Sequence, residues 1–156
     1  NTHDSNKTVI RTGDVQCINS GAGFSHSEYN PTDKPAHRLQ VWIVPRKSRL
    51  KPSSAIKHFS PNAKHNQFCL IASEDGRDGS LLINQSVDVY SNILDADDNI
   101  SYPIETDHFI WIQIIRGDIK VNGHLLSQGD GAEVFDEQEL LIEGLTQSEF
   151  IIFDMQ

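Results

Sequence analysis

One short stretch of the sequence places two metal-ligating residue types two positions apart. The segment SGAGFSHSEYN, residues 20–30, contains His26 and Glu28 between glycines and a Tyr-Asn pair. In a β-strand, side chains at positions i and i+2 point to the same face, so this imidazole and carboxylate would project together. Such a donor pair suits Fe(II), Mn(II), Ni(II), Cu(II) or Zn(II). The spacing is also met by a surface histidine near a surface glutamate, so both interpretations remain open at this point.

The segments around this pair have the composition of β-strands. Alternating or continuous apolar runs are separated by Gly-Asp or Asn-Gly dipeptides, which tolerate the positive φ angles of tight hairpins. Evenly spaced short strands are typical of an all-β barrel or sandwich. The predicted strands lie in KTVIRTGDVQCI, RLQVWIVP, NQFCLIAS, SLLINQSVDVYSNIL, HFIWIQIIRGDIKVNGHLL, GAEVFDEQELLIEG and SEFIIFDM. Residues 45–66 are polar and contain three prolines, which predicts a linker with one short helical turn.

Composition excludes several classes of function. The chain has 156 residues and a formal net charge of -9, and a negative surface argues against direct nucleic-acid binding. No apolar run approaches the ~20 residues that a membrane span needs. Two cysteines, Cys17 and Cys69, lie among apolar residues and are interpreted as buried thiols rather than as a disulfide framework. We expect a cytoplasmic protein without a membrane segment.

The glycine spacing around His26 points to a known family. Gly13 opens a turn, and Gly23-x-x-His26-x-x-x-Asn30 follows, which resembles the second conserved motif of cupins. SGAGFSHSEYNP followed by LQVWIVP resembles the pirin family, and so do ASEDGRDGSLLINQ and the ending GDGAEVFDEQELLI…FIIFD. These motifs run in order from about residue 3 to residue 154 and are typical of the bacterial pirin-like bicupins, which include proteins described as quercetin 2,3-dioxygenases.

The resemblance implies an all-β cupin, or jelly-roll, architecture. Residues 1–44 would be the remnant of an amino-terminal cupin, residues 45–66 a linker, and residues 67–156 a complete carboxy-terminal cupin without metal ligands. The chain has no initiator Met and its sequence begins within the resemblance, so we expect a form that lacks the first part of the amino-terminal cupin.

The same resemblance assigns roles to the opening pair. In pirins, three histidines and one glutamate in the amino-terminal cupin hold the metal, and His26 and Glu28 match the last two of these ligands. A divalent transition metal (Fe, or Ni, Cu, Mn or Zn) is therefore implied for the intact parent, with Glu28 as ligand and as catalytic base toward a flavonol such as quercetin. No closely spaced histidine pair precedes them, so this chain would have an incomplete metal site, with no fully coordinated metal unless another chain supplies ligands. The remaining histidines are isolated: His3, which matches a hairpin tip rather than a ligand position, His37, His58, His65, His108 and His124.

Other interpretations concern partners and turns. A non-enzymatic pirin-type regulator or redox sensor that binds a protein partner is the alternative function. An incomplete barrel leaves strand edges open, and three outcomes remain open at this point: the missing part stays associated as a separate fragment, a homodimer pairs the edges, or residues 8–44 are partly rearranged. Trp42 and Trp111 are interpreted as core or interface anchors rather than as ligand-stacking residues. The segment EDGRDGSL, residues 74–81, lacks the calcium-loop pattern and is predicted to be a hairpin turn in which Arg77 makes local ion pairs.

Overall fold

The computed structural model describes residues 8–21, 23, 25–47 and 49–156. Within these residues the chain is built mainly of short strands, with one helical turn before the third strand and a 3₁₀ turn at Arg77–Gly79. The elements are β1 (Asp14–Asn19), β2 (Ser53–His58), α1 (Pro61–Lys64), β3 (Cys69–Ser73), β4 (Leu81–Leu82), β5 (Val87–Leu94), β6 (Asn99–Pro103), β7 (Phe109–Arg116), β8 (Asp118–Val121), β9 (His124–Ser127), β10 (Gly131–Val134), β11 (Glu139–Gly144) and β12 (Ser148–Met155).

Residues from β3 onward form two sheets that face one another. The larger sheet has the order β10-β7-β12-β5-β3-β4 and the smaller has the order β6-β11-β8-β9. Alternation in the sequence places one residue in two on the inner face, and in β7 these are Ile110, Ile112 and Ile114, none more than 1% exposed. They pack against Phe150 of β12 and Ile142 of β11, among others, in one continuous core. This two-sheet arrangement is the jelly roll that the sequence predicts.

A second apolar cluster lies on the outer face of the larger sheet. It contains Ile71, Val89 and Phe153, and the half-buried side chains of Val15 and Cys17 pack against it. Val15 and Cys17 belong to β1, which pairs antiparallel with β2 from Asp14↔His58 to Asn19↔Ser53. The β1–β2 ladder therefore covers part of a sheet face that would otherwise expose apolar residues to water.

Two predictions for the region before β3 are corrected. RLQVWIVP, residues 38–45, is not a strand: its backbone joins no ladder, and every one of these residues is exposed. Its composition favours a strand, but a strand forms only where a neighbouring backbone pairs with it. The segment 45–66 contains the predicted helical turn, α1, but it also contains β2, whose sequence SSAIKH carries little strand signal and which is held by its pairing with β1.

Residues 20–52 connect β1 to β2, and the described residues among them, here called the long loop, lie in no helix or strand. Structureless connections longer than about 12–15 residues are uncommon in compact domains. Near its end, the carbonyl oxygen of Val44 accepts a hydrogen bond from Gln85 Nε2 at 2.8 Å, and the backbone N–H of Arg46 donates to Asn84 at 2.8 Å. Arg46 also pairs with Glu74 at 3.1 Å. The loop is thus attached to the turn between β4 and β5, while the apolar residues before the attachment point remain exposed.

The described part of the chain contains no helix long and apolar enough to cross a membrane. The division into residues 1–44, 45–66 and 67–156 stays a prediction.

Candidate metal half-site

His26 and Glu28 lie in the long loop, on backbone that pairs with no strand. His26 Nε2 is 3.3 Å from Glu28 Oε1, so the two side chains do project together. Their side chains are 43% and 34% exposed. Because the described backbone here joins no ladder, the expected strand face and barrel interior are absent from this segment.

The loop folds back on itself just after this pair. The Asn30 side chain accepts a hydrogen bond from the Thr32 backbone N–H at 3.1 Å and donates to the Lys34 carbonyl oxygen at 2.6 Å. Such side-chain to backbone bonds stabilise a turn. The reversal lets the guanidinium of Arg38 form an ion pair with the carboxylate of Glu28. Asn30 therefore has a structural role in this chain, since its side chain holds the turn between Glu28 and Arg38.

These residues do not by themselves fit a tightly bound transition metal. Such sites use three or four protein ligands. Among the described residues, no group of three or more His, Cys, Asp or Glu side chains converges on one point. One oxygen of Glu28 also faces Arg38, a cation that a metal ion would have to displace. His3 lies outside the described residues. His26 and Glu28 amount to two donors, half of the set that the resemblance implies.

A second polar group lies in the interior of the carboxy-terminal unit. Asp154 of β12 is 7% exposed, accepts a hydrogen bond from the Tyr102 hydroxyl at 2.6 Å, and lies 2.7 Å from His108 Nδ1. Burial, and then the bond to Asp154, raises the pKa of Tyr102 well above its ordinary value. Tyr102 belongs to β6 and Asp154 to β12, so this group ties the two sheets together. The sequence contained a signal for it, since Asp154 alternates with Phe150 and Ile152 on the inner face of β12.

The EDGRDGSL turn has the predicted architecture. Arg77 lies 3.2 Å from Asp75 and also pairs with Asp88 at the start of β5. The Arg77 backbone N–H, followed by the Ser73 hydroxyl, holds the pKa of Asp75 below its ordinary value. The prediction of a turn with local ion pairs is confirmed.

Two open grooves lie on the four-stranded sheet, and Leu141 lines both. One runs along Asn99, Ser101 and Glu143. The other contains Asp136, Glu137 and Glu139. Leu141 is 53% exposed, so these grooves form a shallow acidic surface with an apolar centre.

Comparison with known proteins identifies the relatives of this chain. Residues 70–155 match the family described as the quercetinase C-terminal cupin domain, and residues 2–43 match the family described as pirin. The chain belongs to the pirin family. The family assignment from sequence and the cupin fold are both confirmed.

The pirin relatives include proteins with named activities. The chain is 33% identical over 151 residues to the quercetin 2,3-dioxygenase of Escherichia coli K12, which covers 96% of this chain and 64% of that protein. It is 30% identical over 150 residues to a pirin-like protein of Caulobacter vibrioides, with 96% and 65% covered. The chain thus spans slightly less than two thirds of the length of these curated relatives.

Solved structures that resemble this chain also include a bacterial pirin. The crystal structure of YhhW from Escherichia coli superposes with a TM-score of 0.86 at 32% identity, covering 97% of this chain and 64% of that one. The bacterial pirin YhhW in complex with nickel(II) superposes with a TM-score of 0.85 at 30% identity, covering 96% and 64%. Metal binding by a pirin relative agrees with the interpretation of His26 and Glu28 as ligands by descent, while their role in this chain stays a proposal.

Proposed function

We propose that this pirin-family chain carries half of the metal site of a dioxygenase that acts on flavonols such as quercetin. The observation that carries the proposal is the 3.3 Å approach of His26 Nε2 to Glu28 Oε1, within the segment that matches the pirin family. The relative named quercetin 2,3-dioxygenase supports the reaction class, and the nickel complex of YhhW supports a divalent metal.

The geometry limits what this chain does alone. Two donors in an exposed loop bind a divalent metal weakly, because each lost ligand removes a bond and leaves the ion more hydrated. The ion pair with Arg38 competes for the carboxylate that would serve as ligand and as acceptor of the flavonol hydroxyl proton. We therefore expect little quercetin consumption by this chain until further ligands are supplied.

The decisive experiment supplies those ligands. The part of the Escherichia coli quercetin 2,3-dioxygenase that this chain does not match would be fused to the chain in the order of that relative. Loss of the visible absorption of quercetin in air, in the presence of Ni(II) or Fe(II), measures activity. We expect activity in the fusion and its loss in His26→Ala, with His124→Ala as the matched control. A fusion that folds, retains metal and leaves quercetin unchanged would refute the dioxygenase proposal.

Metal binding by the chain alone is tested separately. Isothermal titration with Ni(II) should show weak binding that disappears in His26→Ala. Arg38→Ala should strengthen it, because Glu28 loses its competing cation. Tight binding at one ion per chain that survives His26→Ala would place the metal elsewhere and contradict the half-site.

A non-enzymatic regulator is the second candidate. It is favoured by the exposed apolar segment Leu39–Val44 and the open acidic surface around Leu141, which suit a protein partner better than a small molecule. A fusion protein that holds metal without turnover, and whose binding of a defined protein changes with metal, would support this function over the enzyme.

A further inference from the structure

Charge is distributed unevenly along this chain. Between residues 34 and 51 there are six Lys or Arg residues and no Asp or Glu. The cations are Lys34, Arg38, Arg46, Lys47, Arg49 and Lys51. Between residues 95 and 107 there are five carboxylates and no Lys or Arg. These carboxylates are Asp95, Asp97, Asp98, Glu105 and Asp107. Regions of opposite charge on one chain attract one another between copies as well as within a copy.

The basic region contains an apolar segment ready to pair as a strand. We call Leu39–Val44 the apolar arm. Its exposure alternates, with Leu39 43%, Val41 47% and Ile43 38% exposed against 88% for Trp42 and 80% for Val44. A period of two is that of a β-strand. The arm thus has two apolar faces, and the described residues form no ladder with it.

The acidic region surrounds an open sheet edge. Strand β6 is at the end of the four-stranded sheet and, within the described residues, pairs only with β11. Three of its residues, Asn99, Ser101 and Pro103, are exposed. A shallow groove over β6 and β11 is lined by Ser101, Leu141 and Glu143. An unpaired edge of this kind is a template for addition of another strand.

We propose that two copies of this chain associate by reciprocal strand exchange, in which the apolar arm of each copy adds to the β6 edge of the other. Cations lie on both sides of the arm in sequence, and carboxylates lie on both sides of β6. Opposite charges therefore meet at both ends of the added strand, whether it runs parallel or antiparallel to β6. Each copy contributes its arm to one contact and its β6 edge to the other, so the two contacts are equivalent and the assembly closes as a two-fold symmetric dimer.

The distribution of charge also disfavours a dimer in which the two arms pair with each other. Pairing of one arm with the arm of a second copy would bring two regions of six cations together, and like charges oppose association. Pro103 has no N–H to donate, so the added strand pairs with the amino-terminal part of β6. The inference does not depend on the metal or on the proposed reaction.

Charge-reversal variants test whether the cations beside the arm attract the carboxylates beside β6. Lys34→Glu/Lys47→Glu reverses one cation on each side of the arm, and Glu105→Lys/Glu143→Lys reverses carboxylates beside β6. Each variant alone weakens the attraction, since the first reduces the formal charge of residues 34–51 from +6 to +2 and the second removes negative charge beside β6. We expect each of these dimers to be about tenfold weaker or more in sedimentation velocity. In an equimolar mixture, a mixed dimer has one contact at which both sides carry their original charges, so dimerisation should partly return. Arg11→Glu and Glu133→Lys are the matched controls.

Tryptophan fluorescence follows the arm itself. In Trp111→Phe the emission comes from Trp42, which is 88% exposed before association. We expect a blue shift as protein concentration rises, which disappears in Val41→Lys and weakens at high salt because screening reduces charge attraction.

Several outcomes would overturn the proposal. One is a wild-type chain that stays monomeric at high concentration and low salt. A second is a dimer that both charge reversals leave intact. A third is a variant mixture that stays monomeric. A fourth is a blue-shifted Trp42 in a monomer, which would place the arm on its own chain.

Discussion

Removing the Tyr102 hydroxyl should measurably destabilise the carboxy-terminal unit. The hydroxyl donates to the Asp154 carboxylate at 2.6 Å, and Asp154 is 7% exposed. A hydrogen bond to a charged group contributes about 1.5–3 kcal/mol, so Tyr102→Phe should lower the free energy of unfolding by about 2 kcal/mol. Asp154→Ala leaves both Tyr102 and His108 without their partner and should cost about 3–5 kcal/mol.

Urea unfolding followed by tryptophan fluorescence measures both changes. Because a loss of 1 kcal/mol lowers Tm by about 2–4 °C in a domain of this size, Tyr102→Phe should lower Tm by about 4–8 °C. The matched control is Tyr29→Phe, since Tyr29 is 77% exposed and its hydroxyl should not matter. If Tyr102→Phe unfolds at the same urea concentration as Tyr29→Phe, the tie between the two sheets does not stabilise the fold.

Three further results are expected. Because the pKa of Tyr102 is raised in the folded state, the folded chain keeps this proton at a pH where the unfolded chain has lost it. The free energy of unfolding is therefore unaffected below the ordinary tyrosine pKa of about 10 and falls as pH rises further. Tyr102→Phe should reduce that fall in urea titrations at alkaline pH. A Cβ added at Gly131 would overlap the Trp111 ring, so Gly131→Ala should cost about 1–3 kcal/mol, and Trp111→Leu in the same chain should recover part of it; equal stabilities would show that the ring moves freely. Cys17 and Cys69 are partly buried rather than fully buried as the sequence predicts, and this partial burial raises the pKa of both thiols. Iodoacetamide should therefore modify them more slowly at neutral pH than in urea, and mass spectrometry that finds equal rates would contradict their partial burial.

The sequence predicts the carboxy-terminal unit well because its strands carry their own signal. β7 alternates isoleucine with other residues, β12 contains a continuous apolar run of Phe and Ile, and Gly-containing turns separate several of the strands. Most ladders of this unit join strands that are distant in sequence, such as β12 with β5 and β7, so the pattern predicts where the strands lie and does not predict which of them pair. Of the seven predicted strand segments, RLQVWIVP alone contains no strand.

The region before β3 was harder to predict because strand composition and strand pairing disagree there. Leu39–Val44 has strong strand composition and no ladder, whereas SSAIKH has weak composition and forms β2 against β1. Strand propensity reports how well a side chain fits a sheet, and it cannot report whether a neighbouring backbone is present.

The candidate site, too, could be predicted only in part from the sequence. The i, i+2 spacing predicts that His26 and Glu28 project together, and they lie 3.3 Å apart. The Glu28–Arg38 ion pair depends on the turn at Asn30, which the spacing of ligand types does not contain. The Tyr102–Asp154–His108 group joins residues from three separate places in the chain, so only the inward position of Asp154 could have indicated it.

The connection between β1 and β2 has a consequence for the integrity of the polypeptide. Both strands are held by their ladder and by the packing of Val15 and Cys17, and the described residues between them form no ladder with either strand. Cleavage of a peptide bond in this exposed stretch would leave two fragments that stay together without a covalent link. By the same reasoning, doubling the length of the connection would cost only about 0.6 kcal/mol in closure entropy. This part of the molecule can therefore be interrupted, extended or replaced while the two sheets behind it stay folded.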